Sequence, residues 1–229
     1  MKSVLFPAVL ALCGFGMPQQ LEAQKLKKDP ESYRVIVTLS DSSTVEGYLK
    51  TGWHADNSFL KTENYSFKLV KNPDDKEPVK YTAEEVLSID YAGSSEQNPD
   101  GIRWESHAIA SPGIGNRNRT VRRLVCLDKA GENATVYWWK NWEWNQVGNI
   151  RRRELVTRYG IRFHNDPENR VYPYMLIDTV LMDDVQPGLK EFCKNWFKGP
   201  QGKEHKKASK TDELWVLDLY DAYLASRAQ

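Results

Sequence analysis

YWWKNWEWNQ, residues 137–146, places four of the chain's eight tryptophans within seven positions, and three arginines, Arg151 to Arg153, follow almost at once. Extended backbone alternates its side chains. A strand here sends Tyr137, Trp139, Asn141 and Glu143 to one side and Trp138, Lys140, Trp142 and Trp144 to the other. Both faces are partly aromatic, which an ordinary half-buried strand does not need. Packing explains this if one row is core and the other lies under C-terminal helices or arginine stems. Binding explains it if the rings stack on the C–H faces of a sugar while Asn, Glu and Lys bond its hydroxyls. Clustered aromatics pack more often than they bind, so packing takes precedence. The ligand-binding candidates are Trp138, Trp142, Trp144, Lys140, Arg151 and Arg153.

The flanks read as strands too. ATVYWWKNW returns from TVRRLVCLD through the turn DKAGEN, residues 128–133. Val121, Val125 and Leu127 share one face of the first of these. RELVTRYGIRF follows, with Leu155, Tyr159, Ile161 and Phe163 inward and Arg158 and Arg162 outward, and VYPYMLI ends the sheet. Two helices close the chain. PGLKEFCKNWF carries Leu189, Phe192, Cys193, Trp196 and Phe197 at helical spacing. TDELWVLDLYDAYLA is apolar nearly all round, and GPQGKEHKKASK between them reads as a flexible basic loop.

Upstream, alternation marks YRVIVTL, TVEGYLK, YSFKLV and EEVLSIDY, the last with Leu87, Ile89 and Tyr91 on one face. The mid-strand Gly47 suits a strand that bends sharply. Over Tyr33 to Tyr91 this pattern resembles the opening of an Sm-like or SH3-like small barrel. Only the geometry is carried over from that resemblance, because Sm-like proteins bind RNA in the cytoplasm and this chain reads as exported. A second resemblance spans Leu124 to Leu224, through LVCLDKAGENATVYWW, YGIRF and LYDAYL. It is to exported proteins of unknown function from Bacteroidetes-type anaerobes, and it implies envelope localisation and a sheet with C-terminal helices.

The N-terminus carries the export reading. Lys2 precedes the apolar run VLFPAVLAL, which is too short to span a bilayer, and cleavage is expected after Ala23 or after Gly16. Cys13 raises a lipid anchor, but Leu12 stands where a lipobox wants a small residue, so an anchor is the lesser reading. No other stretch reads as a transmembrane segment. The expected destination is the periplasm, the outer membrane or the exterior.

Lys and Arg total 32 against 31 acids, a net charge of +1, which argues against a dedicated nucleic-acid binder. Arginine is concentrated locally: residues 103–170 hold eleven Arg and two Lys against seven acids. The groups Arg117, Arg119, Arg122, Arg123 and Arg151 to Arg153 suit an oxyanion, or else a solvated face paired with Glu132, Glu143, Glu154 and Asp166. The four histidines are scattered without metal-ligand spacing, and no nucleophile elbow, zinc-protease helix or phosphate loop is present. Glu143 and Glu154 are a candidate carboxylate pair for glycoside hydrolysis, a weak signal in a β-rich chain. Cys126 and Cys193 read as two buried free thiols.

The expected protein is therefore α+β. Residues 1–23 are a signal peptide, 24–92 a small β-barrel-like unit, 93–101 a linker, and 102–229 a second antiparallel β unit with two C-terminal helices packed on it. The expected role is non-enzymatic binding or assembly in the envelope, on a protein partner or a glycan, without cofactor or metal. Carbohydrate binding through the tryptophan row is the alternative, and glycan hydrolysis a weaker one.

Overall fold

A computed structural model describes residues 30–50, 65–91, 102–110, 120–148, 150–177 and 180–228. The expected leader at 1–23, the expected linker at 93–101 and residues 111–119, which hold Arg117 and Arg119, lie outside the described residues. The strands are β1 (Arg34–Leu39), β2 (Thr44–Leu49), β3 (Ser66–Val70), β4 (Val79–Thr82), β5 (Val86–Tyr91), β6 (Arg103–Ala110), β7 (Thr120–Ala130), β8 (Ala134–Val147), β9 (Ile150–Phe163) and β10 (Tyr172–Pro173). Four helices follow: α1 (Val180–Val185), α2 (Leu189–Trp196), α3 (Gly202–Thr211) and α4 (Trp215–Arg227).

All ten strands form one open antiparallel sheet, ordered β10-β9-β8-β7-β6-β5-β1-β2-β3-β4. Among the described residues no closed barrel is found, and the strands expected in a small barrel and a second β unit pair in one sheet. The reason lies at β5. One of its edges takes β1, and the other takes β6 through Ser88 opposite Glu105 and Ile89 opposite Trp104. The edge at which the first five strands would stop is thus occupied by the sixth.

Register lines up Val37, Ile89, Trp104, Cys126, Trp138 and Tyr159 as successive partners across six strands. The first four are buried, and the Trp104 and Trp138 rings meet edge to face at 5.2 Å. With Val35, Phe67, Leu69, Val86 and Leu124 they make one core cluster. A second cluster puts Ala134, Val136, Ile161 and Phe163 of the sheet under Leu189 and Cys193 of α2 and Val216, Leu219, Tyr220 and Tyr223 of α4. The spacing of the α4 residues is i, i+3, i+4, i+7, one helical face.

On the opposite sheet face, Ile109, Val125, Tyr137, Trp139 and Val171 form a smaller cluster. Curling of the sheet covers this face. Val171 donates from its N–H to the Ala108 carbonyl and accepts from the Ala110 N–H, both at 2.9 Å, and so touches β6 while the next residue pairs with β9. Pro173, with no N–H to donate, sits in the short edge strand β10.

Three local readings change. A register shift leaves Thr38 opposite Ser88 and Leu39 opposite Val86, so Val86 is buried and Leu87 is 44 % exposed. In β7, Leu124, Val125 and Cys126 are buried in succession, because both faces of a central strand are covered. The segment read as a flexible basic loop is the helix α3. Its less exposed positions are Gly202, His205, Ala208 and Ser209, mostly small, so it shows no apolar stripe in the sequence. Together with the short α1, this makes four C-terminal helices instead of two.

Candidate functional site

β8 and β9 are each 14 residues long and pair along their whole length, from Ala134 opposite Phe163 to Val147 opposite Ile150. β7 pairs with β8 only between Thr135 and Trp138. Beyond Trp138 the two long strands therefore run on as a ribbon whose backbone ladder is their own. The tryptophan-rich stretch spans the root and the outer part of that ribbon.

The root is core. Tyr137 and Trp139 are 0 % and 3 % exposed, and Trp138 is half-buried against Trp104. The outer part is wet. Trp144 is 62 % exposed, and the Arg151 guanidinium lies 5.2 Å from the centre of its ring, within cation–π reach. Register puts Trp144 opposite Arg153, Gln146 opposite Arg151, Trp142 opposite Leu155 and Lys140 opposite Thr157. Strand alternation then places Trp138, Lys140, Trp144, Arg151 and Arg153 on one face of the ribbon, spread over about 20 Å from Trp138 to Trp144. They do not form a uniform platform, since Trp138 is packed and Trp144 is open to solvent. The side chain of Trp142 lies outside the described residues. Arg151 and Arg153 are exposed, and Lys140 is half-buried.

The other face of the ribbon is a chain of polar contacts. Arg123 donates to Asn141 Oδ1 at 3.1 Å, Asn141 reaches Glu143 at 3.4 Å, and both arms of the Arg158 guanidinium bond Glu143, through Nε at 2.7 Å. Glu154, directly opposite Glu143, accepts from Asn145 at 2.9 Å and pairs with Arg152. The hydrogen bond from Arg158 holds Glu143 below the usual carboxylate range, and that from Asn145 does the same for Glu154. The two carboxylates proposed as a hydrolytic pair are thus neighbours, both ionised. Neither is held protonated, as the general acid of a glycosidase must be.

A partly enclosed carboxylate, Glu105, is one the sequence reading did not single out. Glu105 Oε1 accepts from the Arg103 Nε at 2.7 Å, while Oε2 accepts from the Tyr137 hydroxyl at 2.7 Å and lies 3.0 Å from His107 Nε2. Arg103 also clasps Asp90 at 2.7 and 2.8 Å. Burial alone would raise the Glu105 pKa, but the bonds from His107, Arg103 and Tyr137 outweigh it and bring it down to about 2. Burial and the neighbouring Glu105 push the Tyr137 phenol up. The available signal was weak: Glu105 and His107 stand two apart on one strand face, but Tyr137 is 32 residues away. Chemically this is a satisfied clamp across β6, β7 and β8, with its carboxylate already committed to three donors.

Elsewhere, His164 lies 2.9 Å from both Thr135 Oγ1 and the Glu132 carbonyl, as a turn support. Buried Asp166 accepts from the backbone of Glu168 and Arg170 and from the Tyr172 hydroxyl. Among the described residues, no group of three His, Cys, Asp or Glu is placed to hold a metal ion. No described helix is long and apolar enough to cross a membrane. Set against known proteins, the chain matches no family model, no curated protein and no solved structure.

Proposed function

We propose that this chain is a non-enzymatic binding protein of the cell envelope, and that its binding element is the outer part of the β8–β9 ribbon. One observation carries the reading: Trp144, a ring that folding normally buries, stands 62 % exposed with Arg151 stacked on it, at the end of a ribbon rooted in the core. A two-stranded ladder anchored by Tyr137 and Trp139 presents that tip with little ordering cost on binding. The envelope assignment rests on the N-terminal export pattern.

The exposed indole specifically favours a carbohydrate as the bound partner. An open aromatic face stacks on sugar C–H groups, and Arg151 and Arg153 on the same face add donors for hydroxyl or acidic substituents. Screening the purified protein against an array of neutral and acidic glycans tests this. The expected result is retention of a subset that Trp144→Ala and Arg151→Ala each abolish without lowering the melting temperature. Retention that is identical in wild type and Trp144→Ala overturns the ribbon as the binding element. Binding of an envelope protein in place of any glycan, still lost in Trp144→Ala, keeps the element and replaces the ligand.

A further inference from the structure

The chain is nearly neutral as a whole, but α2, α3 and the turn between them hold seven lysines, Lys190, Lys194, Lys198, Lys203, Lys206, Lys207 and Lys210, against Glu191 and Glu204. Four of the seven are on α3. At about 100° per residue, Lys203, Lys206, Lys207 and Lys210 fall within one arc of roughly 100°, opposite the side where Gly202, His205, Ala208 and Ser209 meet the protein. All four are exposed, and among the described residues none of them makes an ion pair. The helix is held close by its first residue. A methyl group on Gly202 would run into the Phe197 carbonyl, so α3 lies tight on the end of α2.

A cleft of about 490 Å³ lined by Phe192, Trp196, Pro200 and His205, with Asn195 and Gln201, takes His205 from the protein-facing side of α3 and none of the four lysines, so it is no part of the stripe. Its aromatic wall is fixed: the His205 ring lies flat on Trp196, centres 3.7 Å apart, and His205 Nδ1 is 2.7 Å from the Trp196 carbonyl. Phe192 and Trp196 remain partly exposed.

We propose that the outer, lysine-bearing face of α3 docks on an anionic lipid surface. One feature chooses this partner over an acidic peptide. The stripe is made of lysine alone, whereas arginine crowds the ribbon. Lysine is a compact point charge suited to the diffuse field of a charged surface, and it lacks the fork that reads an individual carboxylate. This contact is separate from the β8–β9 ribbon and does not depend on its ligand.

The test is co-sedimentation of the purified protein with vesicles of phosphatidylcholine alone and of phosphatidylcholine containing one-third phosphatidylglycerol. The protein should pellet with the second and not the first, and less so as salt rises. Replacing Lys203, Lys206, Lys207 and Lys210 by Gln should weaken partitioning about fivefold per lysine at low salt, without changing the melting temperature. Three results overturn the proposal: equal partitioning to both vesicle types, no loss in the four-lysine variant, or tighter binding to polyglutamate than to anionic vesicles. The last would mark an acidic-peptide site. Ribbon variants such as Trp144→Ala should leave the vesicle result unchanged, so this contact and the glycan reading fail or stand separately.

Discussion

The Tyr137 hydroxyl reaches across β7 to donate 2.7 Å to Glu105 on β6. The bond ties the root of the tryptophan strand to a carboxylate that His107 and Arg103 also hold. The Glu105 side chain is only 20 % exposed, so its charge is stable there because those three partners compensate the lost water.

A pH dependence follows. With its folded pKa at about 2, below the ordinary carboxylate value, Glu105 contributes stability that is fully present above that ordinary value and is lost as pH falls toward 2. A shift of this size corresponds to about 3 kcal/mol at neutral pH. Glu105→Gln, which keeps the shape and loses the charge, should lower unfolding stability at pH 7 by up to about that amount and flatten the acid slope. Urea unfolding at pH 7, 4 and 3 measures both. Parallel pH profiles in wild type and variant would show that the clamp is not the acid-sensitive element.

The two ends of the aromatic strand should answer differently to truncation. Trp139 is 3 % exposed between Ile109, Val125 and Val171, so Trp139→Ala should cost about 3–5 kcal/mol. Trp144 is mostly in water, so Trp144→Ala should change stability by less than about 0.5 kcal/mol. Thermal or chemical denaturation of the two variants decides it. Similar losses in both would mean that the ribbon end is packed against something and is not a free tip.

This difference also marks how far the sequence could be read. Two-sided aromaticity in residues 137–144 announced a strand with both faces in use, because strand alternation is a local rule. Where along the strand burial ends was not legible. That depends on β7 leaving β8 after Trp138, a fact about a neighbour's pairing. The exposed Leu87 follows from a register shift against β1, and no pattern within β5 encodes it. The helix α3 escaped because periodicity arguments look for apolar residues, and its packed side is made largely of Gly202, Ala208 and Ser209. One open sheet instead of two units escaped because the β5–β6 pairing is a choice among edges that are equivalent in sequence.

Gly160 supplies a steric test of the curl that covers Trp139. A Cβ there would come within 2.7 Å of Val171 Cγ1, 2.9 Å of the Tyr172 carbonyl oxygen and 3.0 Å of Trp139 Cζ3. The second of these is backbone and cannot swing aside. Gly160→Ala should therefore destabilise by about 1–3 kcal/mol despite adding a single methyl group. It should also weaken the β10 contacts first, seen as faster hydrogen exchange at Val171 and Tyr172 than at Leu124 and Val125. A variant as stable as wild type, with exchange unchanged, would mean that β9 and the Val171 segment are further apart than this structure has them.

The two thiols test the core as a whole. Cys126 sits between Trp104 and Trp138 in the register row, and Cys193 belongs with Tyr223 and Leu189 to the helix-covered cluster, so the two buried thiols occupy different cores. Burial, with Asp128 adding to it, pushes the Cys126 thiol well above its ordinary pKa, and the protonated form is a poor nucleophile. Neither thiol should react with a maleimide in the native protein at pH 7.5, and both should react on unfolding. The order of reaction in rising urea carries further information. Simultaneous labelling is expected if the sheet and the C-terminal helices unfold as one cooperative unit, as the continuous β6-to-β9 pairing implies. Cys193 reacting well before Cys126 would instead show that the helices lift off an intact sheet. Rapid native labelling of Cys126 would contradict the packing of the Trp104–Trp138 layer itself.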